Sequence, residues 1–169
     1  GLYRVTYVGD ESTALVQAKP SKSKARDTRH KLEAFHGKQN PNAVNVAWPY
    51  LSNKDRFIRT AARTAVEHQP IETWADKALT EADSGKQVEA LLALSRVAGV
   101  CPQHRNDQSP AVDTAMRDKL LKALASIDAA SLSADQQLTL VRTIQIALNR
   151  FGWPSDQIVG QLTSSLDPL

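Results

Sequence analysis

Four basic side chains on one predicted helix are the first candidates for chemistry in this sequence. Arg56, Arg59, Arg63 and His68 all fall within the helix predicted over residues 55–69. Arg59 and Arg63 are four residues apart and therefore share one helix face. Such a face suits an anion or an acidic protein partner, so Arg56, Arg63 and His68 are candidate partner-binding residues. A structural role is the alternative, with Arg59 in an ion pair between helices and the other basic groups in solvent.

Two tryptophans, Trp48 and Trp74, are the second set of candidates for partner binding. Trp48 belongs to an apolar stripe in which Val44, Ala47 and Leu51 recur at helical spacing. If the two indole rings were exposed, they would form an aromatic platform for a protein partner. If they were buried, they would pack between helices, which is the commoner role because aromatic rings supply large buried areas.

No residue pattern in the sequence indicates a catalytic centre or a metal site. The four histidines are scattered, and no two of them have the spacing of metal ligands on one helix. Cys101 is the single cysteine, so the chain has neither an internal disulfide nor a CxxC metal pair. Ser95, His104 and Asp113 have the residue types of a hydrolase triad, but no nucleophile elbow accompanies them. The sequence therefore predicts a chain that is not an enzyme and needs no metal or cofactor.

Composition and charge narrow the range of partners. The chain has 169 residues, 41% hydrophobic and 23% charged, which suits one globular domain. No apolar run approaches the ~20 residues that cross a bilayer, so no membrane partner is expected. The net charge is +3, but the segment from Lys19 to Lys31 alone carries six basic residues and one acidic residue. The rest of the chain is therefore slightly acidic, which argues against a long basic groove for nucleic acid.

The candidate residues are positioned by a series of predicted helices. Apolar residues at helical spacing, capping residues, prolines and glycines predict eight helices. Pro49 predicts a kink or an early helix end near Trp48, and Ser133 with Gln136 predicts a capping box. Trp153 is expected to cover the last pair of helices. The predicted ranges are 27–35, 40–51, 55–69, 70–81, 86–98, 111–127, 134–151 and 156–162.

These helices form four hairpins, and the first three hairpins start about 30 residues apart, a period typical of helical arrays. We therefore expect an all-α fold, a right-handed α-α superhelix of about four hairpins. In the hairpin over 55–81, the apolar and small side chains of the first helix are expected to face inward. These are Phe57, Ile58, Ala61, Ala62, Ala65 and Val66.

The N-terminal part of the chain has a different pattern. Leu2–Val8 alternates between apolar and polar positions, which predicts a short extended strand. A single strand is not stable alone in water, so it must pair outside the helices. Residues 10–24 are polar and contain Pro20, which is typical of a flexible connector. The chain is therefore expected to consist of a strand and basic linker over 1–24 and a helical repeat domain over 25–169.

The stretch LSNKDRFIRTAARTAV, from Leu51 to Val66, resembles the repeat of the HEAT family. It has an apolar helix end, a loop aspartate, an Ile-Arg pair and then small residues, at Asp55, Ile58, Arg59, Ala62 and Ala65. The resemblance implies an ARM-type helical solenoid, in which Asp55 and Arg59 make polar contacts between successive repeats. The other hairpins keep only part of this pattern, as in Gln87-Val88-Glu89.

A wider resemblance involves the order of four segments: YRVTYVG, a basic Ser/Pro connector, RHKLEAFHG and AWPYLSNKDRFIRTAAR. This order is similar to a region of large exported bacterial proteins. Those proteins join a β-propeller related to membrane-bound sugar dehydrogenases, a HEAT-like segment and a cytochrome c domain. The resemblance implies that Leu2–Val8 is the last propeller strand and that the chain is a middle module of an exported or periplasmic protein. It implies no enzymatic role for the module.

The sequence therefore favours a non-catalytic module that binds protein or separates domains. Its expected partners are flanking domains or another protein chain, and no small-molecule substrate is evident. The alternative is a HEAT-like DNA-binding or DNA-repair glycosylase, in which Trp74, Asp76 and Arg59 would hold a lesion. Nucleic acid is the less favoured partner because such a protein requires a strongly basic groove.

Overall fold

The structure, a computed structural model, describes residues 1–15 and 23–167. Within these residues the chain forms α-helices and short 3-10 turns, and no strand is present. The predicted all-α class is therefore confirmed. The helices are α1 (Lys24–Glu33), α2 (Ala43–Ala47), α3 (Arg56–Glu67), α4 (Ala75–Leu79), α5 (Ser84–Ala98), α6 (Thr114–Ala125), α7 (Ala134–Phe151) and α8 (Asp156–Leu166).

Capping side chains explain where the longer helices begin. Asp55, Asp83 and Asp113 each accept a hydrogen bond from a backbone N–H in the first turn of α3, α5 and α6, at 2.8, 2.9 and 2.8 Å. Such caps satisfy N–H groups that have no partner within the helix. Ser133 and Gln136 form the predicted capping box at the start of α7. Because Asp83 is a cap, α5 begins two residues earlier than the pattern of apolar residues predicts.

The second helices predicted for the first two hairpins are shorter in the structure. The helix predicted over 40–51 is an α-helix only up to Ala47, and a 3-10 turn, Trp48–Tyr50, follows it. This is the early end predicted from Pro49, whose ring is incompatible with a continuing helix. The helix predicted over 70–81 is also divided, into a 3-10 turn (Ile71–Thr73) and α4. Both α2 and α4 therefore have little more than one turn.

The strand predicted over Leu2–Val8 is not formed. Residues 1–15 contain no regular element, and Val5 has 95% of its surface exposed. The physical reason is that a strand needs a partner for its backbone groups, and no other described residue supplies one. The connector predicted over 10–24 lies partly outside the described residues, because 16–22 are not among them.

Alternate helices of the chain pack against one another in order. α1 packs against α3, α3 against α5, and α5 against α7, while α6 packs against both α7 and α8. α5 is buried on nearly all sides: Val88, Leu91 and Leu94 are fully buried, and so are the small residues Ala90 and Ala93. A helix that is apolar all round belongs in the interior, so α5 is the central helix of the fold.

Two close contacts join the two ends of α5 to α7. A Cβ atom added at Gly85 would lie 2.3 Å from Nε2 of Gln136 in α7. A Cβ atom added at Gly99 would lie 2.8 Å from Cβ of Arg150 and 2.8 Å from the ring of Phe151. Glycine is needed for the close approach at Gly99, where Cβ of Arg150 is fixed to the backbone, whereas the Gln136 amide near Gly85 is the end of a flexible side chain. None of the helices in the described part of the chain combines the length and the apolar character needed to span a membrane.

Candidate functional site

The basic face of α3 forms one side of a buried ion-pair network. Nε of Arg59 donates to Oε1 of Glu89 at 2.8 Å, and Nη1 of Arg63 donates to Oε2 of the same carboxylate at 2.7 Å. Glu89 lies in α5 and is only 4% exposed. One buried carboxylate of the third hairpin therefore accepts hydrogen bonds from two arginines of the second hairpin.

The network continues to a second carboxylate nearer the surface. Nε of Arg96, in α5, donates to Oε1 of Glu67 at 2.8 Å, and Nε of Arg63 lies 3.4 Å from the same oxygen without a hydrogen bond of good geometry. The charges alternate in the order Arg59, Glu89, Arg63, Glu67 and Arg96. We call these five residues the α3–α5 network. It carries one net positive charge and connects two successive hairpins.

Pairing makes the burial of Glu89 possible. An isolated buried carboxylate is strongly unfavourable, whereas one that accepts hydrogen bonds from two guanidinium groups recovers most of the lost hydration. Arg59 has a further role, since its Nη1 donates to the carbonyl oxygen of Asn53 at 2.7 Å. The same guanidinium group therefore holds both the turn before α3 and the neighbouring helix α5.

The sequence pattern does not identify Glu67 or Glu89 as the partners of these arginines. A signal was present for Glu89, which is a single carboxylate within the otherwise apolar run from Val88 to Leu94. A charge at such a position is expected to be paired. The identity of its partners depends on how α3 and α5 are placed relative to each other.

The other residues of the HEAT-like stretch have local roles. Asp55 caps α3, and its side chain makes no hydrogen bond or ion pair to another helix among the described residues. The guanidinium carbon of Arg56 lies 4.9 Å from the centre of the Phe57 ring. Phe57 was predicted to face inward, but it is 57% exposed, because the inward face of α3 is filled by Ile58 and the alanines. Arg56 and Phe57 therefore present an exposed pair to solvent.

His68 is exposed at the end of α3 and does not join the α3–α5 network. Its Nδ1 lies 2.8 Å from the carbonyl oxygen of Thr64, so this nitrogen carries the proton and donates. The ring stacks on that of His36, with 6.0 Å between the ring centres. The four basic residues predicted on this helix therefore separate into a buried pair, Arg59 and Arg63, and two exposed residues.

Both candidate tryptophans are buried and offer no aromatic platform to a partner. Trp74 is 1% exposed, and its indole N–H donates to the carbonyl oxygen of Gln69 at 3.3 Å. Trp48 is buried as well, and its indole N–H donates to Oε2 of Glu81 at 2.6 Å. Core packing, the alternative role, accounts for both. Trp153, which was expected to cover the last hairpin, is 73% exposed instead.

The hydrogen bond from Trp48 affects the ionisation of Glu81. Partial burial raises the pKa of Glu81, but the hydrogen bonds from the Trp48 indole and the Asp83 backbone, together with the charge of Lys86, outweigh it. The net effect is a pKa below the ordinary value. The pKa of Asp83 is also lowered, chiefly because its carboxylate accepts the backbone N–H of Lys86.

Side chains of the types used in catalysis do not lie together in one site in the described part of the chain. Ser95 is fully buried and donates to the carbonyl oxygen of Leu91 at 2.8 Å, whereas Asp113 caps α6 and His104 lies in an exposed turn. No group of three or more possible metal ligands is present among the described residues. The glycosylase alternative gains no support, since the ring of Trp74 is inaccessible.

Comparison of the chain with protein-family models, curated proteins and solved structures gave no match. The interpretation of the α3–α5 network therefore rests on its own geometry. That geometry joins two hairpins through fixed charges and leaves no open position at Glu89 for a substrate.

The substitution Glu89→Gln tests the buried part of the network. We expect it to lower the free energy of unfolding by about 3 kcal/mol, because two largely buried guanidinium groups lose their charged partner. Urea denaturation followed by circular dichroism measures this loss. The matched control is Glu72→Gln at an exposed position, where a change within about 0.5 kcal/mol is expected. Equal effects of the two substitutions would contradict the assigned role of Glu89.

The lowered pKa values of Glu81 and Asp83 predict a loss of stability in acid. A carboxylate whose folded-state pKa lies below the unfolded value stabilises the fold above the unfolded pKa, at about pH 4 and higher. This contribution is lost as the pH falls through the lower, folded-state value. We expect the free energy of unfolding, measured by urea titration from pH 6 to pH 3, to fall more steeply in the wild type than in Glu81→Gln. Parallel curves for the two proteins would exclude this role for Glu81.

Proposed function

We propose that this chain is a non-catalytic protein-interaction or inter-domain spacer module, built as a HEAT-like α-solenoid of four hairpins. The observation that carries the proposal is the order of packing, in which α1, α3, α5 and α7 follow one another side by side. In a solenoid each repeat contacts its neighbours, and the stack presents an extended surface to partners. A closed bundle would instead bring the first and last helices together, and α1 makes no extensive contact with α7 or α8 in the described residues.

The α3–α5 network supports this architecture. Glu89 and Arg59 link the second hairpin to the third, the place where a HEAT-type repeat has its polar contacts between units. The resemblance assigned this role to Asp55 as well, but its carboxylate is used as a cap. Stacked hairpins joined by fixed ion pairs form a stiff element, which suits a spacer.

The exposed N-terminal segment supports a position between domains. Tyr3, Val5 and Tyr7 alternate with polar residues in a pattern typical of a strand, yet all three side chains are exposed. Pairing with a sheet of a flanking domain or of another chain would bury them. This is the arrangement implied by the similarity to large exported proteins that carry a propeller before the HEAT-like segment. An exported or periplasmic location is part of the same proposal.

Hydrogen exchange of two variants tests the solenoid. Leu32 and Leu162 are buried in α1 and α8, at opposite ends of the chain. Replacing a buried leucine by alanine costs about 2–5 kcal/mol. In a solenoid this loss remains partly local, because repeats are stabilised chiefly by their neighbours. We expect Leu162→Ala to increase amide exchange mainly in α6 and α8, and Leu32→Ala mainly in α1 and α3.

The two variants serve as controls for each other, since the substitution is the same and only its place differs. An equal increase of exchange across all helices in both variants would indicate a single closed core. That outcome would overturn the solenoid.

An assay of the purified chain tests the absence of catalysis. We expect no saturable hydrolysis of ester substrates, no release of a modified base from duplex DNA, and no stoichiometric haem or metal by absorption and elemental analysis. Saturable turnover in either assay, or a bound cofactor at one equivalent, would contradict the proposed function.

A further inference from the structure

A cleft on the side of the short helices has the size of a ligand site. It lies between α2 and the turn that leads into α4, and its volume is about 420 Å³. Sites that bind small molecules typically have volumes of about 300–1,000 Å³. The cleft shares no lining residue with the α3–α5 network.

The floor of the cleft is held rigidly by Gln69. This side chain is buried, and its Oε1 accepts the backbone N–H of Asn40 at 2.8 Å. Its Nε2 donates to the carbonyl oxygens of Lys38 and Ala65, at 3.1 and 2.9 Å. A single buried amide therefore ties the loop before α2 to the end of α3. The cleft is formed in advance, so a ligand need not order it.

Lys77 is the one ionisable side chain that lines the cleft. Its Nζ lies 4.4 Å from the centre of the Trp48 ring, and no carboxylate among the described residues lies within salt-bridge distance of it. Trp48 is fixed in turn by its hydrogen bond to Glu81. The ammonium group is therefore held in place by an aromatic ring, and its charge is left for a ligand.

The remaining walls offer amides and apolar rings. The side chains of Gln39 and Asn45 line the cleft and make no hydrogen bond to any other described residue. Each carries both donor and acceptor groups, which match the N–H and C=O of a peptide bond. Pro41 and Pro70 supply rigid apolar walls. Because no acidic residue lines the cleft, its electrostatics favour an anion.

We propose that this cleft binds an extended acidic segment of a partner protein. The ammonium of Lys77 binds a glutamate or aspartate carboxylate of the segment, and the amides of Gln39 and Asn45 bind its backbone. An apolar side chain of the segment packs between Pro41 and Pro70. This inference rests on the proposed interaction function and assigns a surface and a partner chemistry to it.

The probes are three peptides, each with a neutral fluorophore coupled to its N-terminal amine: Gly-Leu-Glu-Leu-Gly-amide and the same sequence with Gln or Lys at the centre. Fluorescence anisotropy with the full chain measures their affinities. We expect the Glu peptide to bind at least about tenfold more tightly than the other two, because only its carboxylate forms a charged hydrogen bond with Lys77. In NMR spectra the side-chain amide signals of Gln39 and Asn45 should shift on its addition.

Variants distinguish binding in the cleft from attraction to surface charge elsewhere on the protein. Lys77→Gln should lower the affinity for the Glu peptide about tenfold, whereas Lys77→Arg, which keeps the charge, should retain most of it. The matched control is Lys119→Gln, an exposed lysine of α6 outside the cleft, which should have no effect. Equal binding by wild type and Lys77→Gln would overturn the proposal. So would NMR spectra in which the peptide shifts only the signals of residues located between α1 and α3.

A small carboxylate is the competing ligand. If N-acetylglutamate amide binds as tightly as the Glu peptide, the site recognises a free organic acid and the peptide proposal is wrong. If no peptide binds while Leu32→Ala and Leu162→Ala still show local exchange, the cleft proposal fails and the solenoid stands. If exchange is global in both variants, the proposed architecture fails independently of the cleft.

Discussion

The carboxylate of Glu89 imposes the constraint on which the rest of the structure depends. It lies in the central helix, at a position that solvent does not reach, and it accepts hydrogen bonds from Arg59 and Arg63 of the preceding hairpin. A buried charge of this kind contributes little net stability compared with an apolar residue, but it tolerates few alternative arrangements. α5 can be buried only where α3 brings both guanidinium groups to that point.

This requirement matters because the apolar surface of α5 does not by itself fix the orientation of the helix. Its alanines and leucines would pack acceptably at several rotations and shifts along the helix axis. Glu89 fixes the contact with α3, and Gly99 allows the close approach to α7 on the other side. α5 is thereby fixed between α3 and α7, and α4 packs against it as well. The cleft near Lys77 is one consequence of that arrangement.

Local chemistry made most of the helices predictable. Asp55, Ser133 and Gly152 each mark a helix boundary by a mechanism that needs only neighbouring residues, namely a side-chain cap or, at Gly152, a positive φ of 79°. The early end before Pro49 follows from the proline ring. Features that depend on distant residues were not predictable. Phe57 fits the apolar pattern of α3, yet the alanines on that helix already fill the inward face.

The candidate site, too, could be predicted from the sequence only in part. The spacing of Arg59 and Arg63 predicted a shared face, but only the packed structure shows that Glu89 occupies it. Trp48 and Trp74 had two possible roles in the sequence, and burial decides between them. Residues 2–8 have the pattern of a strand, but no described residue pairs with them.

The most direct measurement of the central claim is a thermodynamic cycle for unfolding. One variant replaces Glu89 by leucine, a second replaces Arg59 and Arg63 by methionine, and a third combines all three substitutions. Each of the first two leaves buried charge without a partner, so each should lose about 3 kcal/mol or more, whereas the combined variant should remain close to the wild type. A combined loss equal to the sum of the separate losses would contradict the account, because the three charged groups would then act independently.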